Sequence, residues 1–223
     1  MNTLFVTSGV AGSGHIVLGL CVANALRRTG IDARYRILSV DTPFSVLATR
    51  MGVDIDTIPA EGADTLSGSR FRDSRLYRAI ESFKPDVLIV DLFWFTLDAF
   101  IRELACKKVL LIRQVDPRFF SFTIDRREFR FNPADYDLVA ATEPGFELPF
   151  EAVCLEPFIM RNRDEILPAP EARAGLGLAP AERSCFFGFN GKEGEGAEAW
   201  KSFSYLEEEG WKVVRSDNRS GGI

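Results

Sequence analysis

The sequence lacks the residue patterns of several protein classes. It has one histidine among 223 residues. No C-x-x-C pair occurs among its four cysteines, which are Cys21, Cys106, Cys154 and Cys185. This spacing argues against a zinc site and against a thioredoxin-type redox motif. We therefore expect no bound metal, and we expect the cysteines to be free thiols, mostly buried, in a reducing cytosol.

Basic stripes and long apolar runs are also missing. The net charge is −5 and the pI is about 5.1, which disfavours nucleic-acid binding because phosphate neutralisation supplies much of that affinity. No apolar run approaches the roughly 18–20 residues that a membrane-spanning helix needs. Residues 1–7 are typical of a first strand rather than of a signal peptide. The expected location is therefore the cytoplasm.

The sequence does contain a regular alternation of strand and helix patterns. Strand patterns lie at 4–7, 33–38, 54–58, 87–90 and 109–112, and helical patterns at 16–28, 43–51, 71–83 and 96–105. Alternation at this spacing predicts βαβ units. The β-branched run at 87–90 is typical of a parallel strand covered by helices on both faces. The expected fold class is α/β, with a doubly wound parallel sheet.

A polar stretch with two prolines, residues 159–170, predicts a linker. It would separate an N-terminal domain, residues 1–158, from a second α/β segment, residues 171–223. That segment holds two strand patterns around one long helical pattern, too little to bury a self-sufficient core. We expect it to be the start of a domain that was cut short, and either to pack on the first domain or to be completed by a partner chain or a second copy.

A glycine-rich turn follows the first strand and leads into a helix. Gly9, Gly12 and Gly14 allow a sharp turn and close approach to a ligand, and the helix N-terminus offers free N–H groups. A P-loop would need lysine where His15 stands. A dinucleotide-binding loop would need a third glycine where Val17 stands, and an acidic residue closing the second strand. Both alternatives therefore lack required residues.

His15 directly follows this turn, where an imidazole can act as a general base toward a hydroxyl group. Such a base works better when a carboxylate orients its second ring nitrogen. Asp91 follows the strongest strand, and the carboxyl ends of parallel strands meet at the edge where ligands bind. The pattern predicts a His15–Asp91 pair. The alternative is that His15 belongs to an ordinary loop and Asp91 caps the next helix.

Residues 12–16, Gly-Ser-Gly-His-Ile, precede an Ala/Leu-rich helix that ends in Arg-Thr-Gly at 28–30. This segment resembles the N-terminal signature of GT-B glycosyltransferases, above all the enzymes that add N-acetylglucosamine to lipid-linked peptidoglycan precursors and the wider UDP-sugar transferases. Leu18 stands where those families usually have proline. The resemblance implies metal-independent, inverting transfer from a UDP-sugar to an acceptor hydroxyl, with His15 as base and Asp91 as its partner.

The resemblance also implies binding residues. Acceptor contacts would come from Gly12, Ser13, Gly14, Phe93 and Glu143. Residues 173–178 resemble the Arg-x-x-Leu-Gly-Leu segment that leads into the donor domain, so donor contacts would come from Gly188, Asn190 and Gly191. The donor is a substrate, and no further cofactor is implied. The acceptor would be a small molecule or a lipid-linked one.

The segment 118–131 interrupts the alternation with five phenylalanines and four arginines. Two interpretations stay open. Aromatic and cationic side chains suit contact with a membrane surface. Alternatively, the phenylalanines pack inward to cover the core while the arginines are solvated.

Two other functions stay open as well. One is a non-catalytic binding or regulatory module that keeps this fold without the later part of a donor domain, which carries the nucleotide pocket in the family. The other is a dinucleotide oxidoreductase, which would enhance NAD(P)H fluorescence, and we expect no enhancement.

Overall fold

The computed structural model describes residues 1–8, 12–62, 65–66, 68–124, 126–189 and 194–217. The chain divides into two compact units, Met1–Met160 and Arg161–Ile223. The first unit holds a seven-stranded parallel sheet and a short antiparallel hairpin, and the second holds a two-stranded parallel sheet. Each unit is described by itself below.

The N-terminal unit alternates strands and helices. Its strands are β1 (Asn2–Ser8), β2 (Arg34–Val40), β3 (Asp54–Ile58), β4 (Val87–Asp91), β5 (Lys107–Ile112), β6 (Ser121–Ile124), β7 (Arg127–Arg130), β8 (Leu138–Ala141) and β9 (Val153–Cys154). Its α-helices are α1 (Gly14–Arg28), α2 (Ser45–Arg50) and α3 (Arg75–Phe83). Short 3-10 helices span Gly68–Asp73, Trp94–Thr96, Ile101–Glu103, Pro117–Phe120 and Pro133–Asp135. The predicted α/β class is confirmed.

The large sheet has the order β3-β2-β1-β4-β5-β8-β9, and all its strands are parallel. Phe5 of β1 pairs with Ile37 of β2 on one side and with Ile89 of β4 on the other. The strand order reverses between β1 and β4, which makes their carboxyl ends a topological switch point. In open α/β sheets, ligands bind at this position.

Both faces of the sheet are covered, because alternate side chains of each central strand point to opposite sides. Leu4 and Val6 of β1 belong to one core cluster, whereas Phe5 belongs to the other. Helix α1 packs on the second face through Ile16 and Leu20, both almost fully buried. This packing on two sides holds β1 and the start of α1 in place.

Helix α1 lies close to the sheet. It also forms hydrogen bonds to the last residue of the first unit. A Cβ atom at Gly19 would lie 3.0 Å from side-chain atoms of both Phe5 and Ile37, so the close approach requires glycine. Near the other end of α1, Nδ2 of Asn24 and Nη2 of Arg28 both donate to the carbonyl oxygen of Met160, over 3.0 and 2.9 Å. The helix is thereby bonded to the residue at which the first unit ends.

Two predicted helices differ in the structure. Residues 96–105, expected as one helix, begin at the last residue of the 3-10 helix Trp94–Thr96 and contain the 3-10 helix Ile101–Glu103. The buried side chains there are Trp94, Leu97, Phe100, Ile101 and Leu104, a spacing that a continuous helix would share. The helix expected at 71–83 begins only after Ser74, whose Oγ accepts a hydrogen bond from the N–H of Tyr77 and so caps α3.

The Phe/Arg segment forms a 3-10 turn followed by the β6–β7 hairpin. Four of its five phenylalanine rings lie within 6.5 Å of the Trp94 ring, measured between centroids. The side chains of Arg118 and Arg130 are 88% and 77% exposed. The aromatic side chains thus extend the core, whereas these arginines are solvated. Over the described ranges, no helix has the length and apolar character needed to cross a bilayer.

The second unit is built from shorter elements. They are a 3-10 helix (Arg163–Glu165), α4 (Ala169–Gly175), β10 (Ser184–Phe189), α5 (Glu195–Lys201), α6 (Tyr205–Glu208) and β11 (Lys212–Asp217). The helix expected at 197–209 is therefore divided into two. Phe187 packs against Trp200 and Phe203 on one face of the β10–β11 sheet. Phe186, on the other face, is 66% exposed.

Candidate active site

A histidine and an aspartate meet at the switch point of the large sheet. His15 lies in the first turn of α1, and Asp91 is the last residue of β4. Nδ1 of His15 is 2.7 Å from Oδ2 of Asp91, although 76 positions separate the two residues. They are 7% and 1% exposed. An ionised carboxylate only accepts hydrogen bonds, so opposite such a group Nδ1 is the donor, and a neutral ring in this tautomer has a free lone pair on Nε2.

Thr7 supplies a second hydrogen bond to the same carboxylate. Its Oγ1 donates to Oδ2 of Asp91 over 2.8 Å, and the residue is 2% exposed. The contact follows from the pairing of β1 with β4, which places the carboxyl ends of the two strands side by side. Thr7 was absent from the sequence-based prediction. The available signal was its position at the end of the first strand, the same reasoning that identified Asp91.

The other oxygen of Asp91 is less well satisfied. Oδ1 is buried and accepts no hydrogen bond within the described part of the chain. Nη2 of Arg113 lies 3.6 Å away, within ion-pair distance but too far for a hydrogen bond. Arg113 follows β5 directly, and its Nη1 would lie 4.0 Å from a Cβ atom placed on Gly14. This arginine was also missing from the prediction, although it too follows the carboxyl end of a strand.

The backbone turns sharply after Asp91. Leu92 has a φ of +66°, a left-handed value that leucine seldom adopts. The N–H of Phe93 donates to the carbonyl of Asp91 over 2.7 Å, which closes a three-residue turn around Leu92. The turn places the Phe93 ring 5.3 Å from the imidazole of His15, at an interplanar angle of 46°. Local strain here thus packs an aromatic ring against the histidine.

An apolar cavity of about 220 Å³ lies next to residues that contact this pair, although neither His15 nor Asp91 is part of its wall. Thr7, which bonds to Asp91, and Phe93, which packs on His15, are both part of its wall. Apolar side chains from the ends of neighbouring strands, among them Val40 and Ile58, form much of the rest. An enclosed apolar space beside a few polar groups is the usual form of a small-molecule site.

Glu61 is the charged residue in the wall of this cavity. Its two carboxylate oxygens accept hydrogen bonds from the backbone N–H groups of Arg75 and Leu76, over 2.8 and 3.1 Å. These N–H groups belong to the first turn of α3, where an acidic side chain is favourable. Glu61 therefore stabilises the start of α3.

The other predicted acceptor residues are distributed over two places. Gly12, with a φ of +129°, and Ser13 belong to the turn before α1, and Gly14 begins the helix. Glu143 lines a different cavity, of about 370 Å³, at the carboxyl ends of β8 and β9. The structure thus brings His15, Asp91 and Phe93 together and places Glu143 apart from them.

The predicted donor residues belong to the second unit. Gly188 lies in β10, where a Cβ atom would lie 2.7 Å from Cε1 of Phe186. Asn190 and Gly191 lie outside the described residues, so the donor assignment stays a prediction. Across the described ranges, no group of three or more His, Cys, Asp or Glu side chains is arranged to hold a metal ion.

Comparison with solved structures shows similarity over nearly the whole chain. The spinosyn forosaminyltransferase SpnP covers 97% of it, with a TM-score of 0.52 and 14% identity. The spinosyn rhamnosyltransferase SpnG, complexed with spinosyn aglycone, covers 96%, with a TM-score of 0.55 and 18% identity. SsfS6, a glycosyltransferase of Streptomyces sp. SF2575, covers 100%, with a TM-score of 0.54 and 14% identity. The chain has the GT-B glycosyltransferase fold.

This result confirms the predicted GT-B fold, and at such low identity it establishes the fold alone. The chain spans 67% of the length of SpnP, 65% of SpnG and 70% of SsfS6. No protein-family model and no curated protein matches the sequence. The activity of this GT-B chain therefore has to be argued from its own residues.

Proposed function

We propose that this chain provides the acceptor site and the catalytic base of a sugar transferase that uses a nucleotide-sugar donor. The observation that carries the proposal is the buried, hydrogen-bonded His15–Asp91 pair at the switch point of a GT-B fold. A buried polar pair joined across 76 positions, beside an apolar cavity, is typical of a catalytic base and its orienting carboxylate.

In the proposed reaction, Nε2 of His15 takes the proton of the acceptor hydroxyl while the hydroxyl oxygen attacks the anomeric carbon of the donor sugar. The bond from that carbon to the diphosphate oxygen breaks, and its electron pair leaves with the nucleoside diphosphate. Asp91 holds the Nδ1–H and stabilises the imidazolium that forms. Attack opposite the leaving group inverts the anomeric configuration.

The cavity beside Phe93 supports an acceptor with an apolar body and a hydroxyl close to His15. A structure of SpnG holds a spinosyn aglycone, which is consistent with a small-molecule acceptor for a GT-B fold of this kind. We propose that Thr7 and Phe93 border the acceptor. Glu143 then contributes to acceptor binding less than predicted, since it lines the other cavity.

The donor is proposed to be a nucleoside diphosphate sugar. The sequence resemblance implies UDP, whereas another SpnG structure holds thymidine diphosphate. We retain Gly188, Asn190 and Gly191 as the proposed donor contacts and propose that both nucleotides be tested. The described cysteines are free thiols, which fits the proposed location in the reducing cytoplasm.

Replacement of the base tests the proposal. In the complete protein, His15→Ala should lower the rate of sugar transfer from UDP- or dTDP-hexose by about 10²–10⁴-fold, because general base catalysis is lost. Thr29→Ala, at the opposite end of the same helix, should leave the rate unchanged. Transfer is measured as initial release of nucleoside diphosphate. Near wild-type turnover by His15→Ala would exclude the catalytic role.

A further inference from the structure

The carboxylate of Asp91 is almost fully buried, yet its hydrogen-bond donors supply no positive charge. Oδ2 accepts from the Thr7 hydroxyl and from Nδ1 of His15, and Oδ1 accepts from nothing in the described residues. A buried ionised carboxylate is strongly unfavourable without a countercharge. His15 cannot supply that charge, because a base that is ready to take a proton must be neutral.

Among the described residues, the side chains around the pair leave one source of positive charge. Tyr35 of β2 donates its hydroxyl hydrogen to the carbonyl oxygen of Gly19 over 2.7 Å. Burial, followed by the negative charge of Asp91, raises the pKa of Tyr35 well above its ordinary value, so this phenol stays neutral. Arg113 is the cation beside Asp91, 3.6 Å from Oδ1, and its side chain is 28% exposed. Its guanidinium has no other ion pair in the part of the chain that is described.

We propose that Arg113 is a positioning residue for the His15–Asp91 pair. Its guanidinium is the countercharge that keeps Asp91 ionised while His15 is neutral, so that Nδ1–H faces the carboxylate and Nε2 is free. The proposal rests on the proposed role of His15 as the base. Without Arg113, the buried carboxylate attracts a proton, and the imidazole is converted to imidazolium at a higher pH.

The chain suits a direct test, because it has one histidine and the ring gives a single set of NMR signals. A pH titration of the 15N-labelled imidazole is compared between wild type and Arg113→Met. The titration midpoint in the variant should move to higher pH by about one unit, the effect of removing a nearby cation. The fraction of the neutral ring that carries its hydrogen on Nδ1 should fall.

Two further variants distinguish the loss of the Arg113 charge from a general disturbance of the structure. Arg113→Lys keeps the charge and should restore most of the wild-type midpoint. Arg118→Met removes an arginine whose side chain is 88% exposed and should shift the midpoint by less than about 0.2 units, since solvent screens it. A midpoint in Arg113→Met equal to that of Arg118→Met would overturn the proposal. If Arg113→Met does not unfold cooperatively, the titration is repeated with Arg113→Gln, and a midpoint equal to that of Arg118→Met would again overturn the proposal.

Asp91→Asn distinguishes this inference from the proposed function. If neither Asp91→Asn nor Arg113→Met changes the ring 15N shifts, the histidine is not coupled to the carboxylate, and the proposed base loses its support. If Asp91→Asn changes them and Arg113→Met does not, the pair stands and only the role of Arg113 is rejected.

Discussion

The two units of this chain use the same local motif with different results. In the first, β1 leads through a glycine turn into α1, a 15-residue helix with nine buried residues. In the second, β10 leads through a glycine-rich stretch to α5, which has seven residues, none of them buried. The difference shows that the strand–turn–helix pattern alone does not determine how deeply the helix that follows the strand is buried.

Neighbouring strands matter as much as the covering helices. Strand β1 pairs with β2 and β4, and β4 supplies the aspartate that meets the histidine of the turn. Strand β10 pairs with β11 alone among the described strands. The site in the first unit is thus a product of three adjacent parallel strands, which the described part of the second unit does not have.

The largest effect expected from this comparison is that of replacing Asp91. We expect Asp91→Asn to lower kcat/KM for sugar transfer by about 10³–10⁴-fold, because an amide no longer holds His15 in the tautomer with a free Nε2. The control is Asp116→Asn. Asp116 is exposed and bonds to Arg118 of the same turn, so its loss should leave kcat/KM within about twofold. Equal rates for the two variants would show that the buried pair is structural only.

A second test concerns how tightly the helices are packed in the two units. Gly19→Leu should destabilise the N-terminal unit by about 2–3 kcal/mol, because the new side chain meets Phe5 and Ile37 at 3.0 Å in a filled core. Gly175→Leu in α4, where a Cβ atom has nothing within 4 Å, should change stability by less than about 0.5 kcal/mol. Chemical denaturation followed by circular dichroism measures both. Similar losses at the two sites would contradict the difference in packing.

The smallest effect is expected in thiol reactivity. Burial raises the pKa of the Cys21 thiol, an effect that Arg28 partly opposes. A smaller fraction is therefore thiolate at neutral pH, and the fraction increases only as the pH approaches the raised pKa. Cys21 should react with iodoacetamide at least about tenfold more slowly than the exposed Cys154, with Cys185 of β10 between them. Peptide mass spectrometry over time gives the order, and a rapid reaction of Cys21 would be the contrary result.

Much of the site was predictable because it depends on one rule of parallel sheets. The apolar patterns of β1 and β4 identified two strands whose carboxyl ends meet, and this brought His15 and Asp91 together before any coordinates. Thr7 and Arg113 obey the same rule. Arg113 has no local signal that distinguishes it from a solvated arginine after a strand, so the sequence alone does not identify it.

Other features could not be predicted from local pattern. Glu143 follows β8, which is separated from β4 by β5. Two strand spacings amount to about 10 Å, so a residue there borders a different cavity. The apolar cavity itself depends on side chains from four strands and from the turn at Leu92, and only the packed chain defines it. Two short 3-10 helices likewise replace the expected helix after β4, although the burial pattern there suits either form.

The hydrogen bonds from Asn24 and Arg28 to Met160 connect α1 to the last residue of the first unit. Fifteen residues at 1.5 Å each form a stiff rod of about 22 Å. One end of the rod carries the imidazole, and the other is fastened to the point where the first unit ends. The position of His15 and the position of the last residue of the first unit are therefore set by one and the same helix.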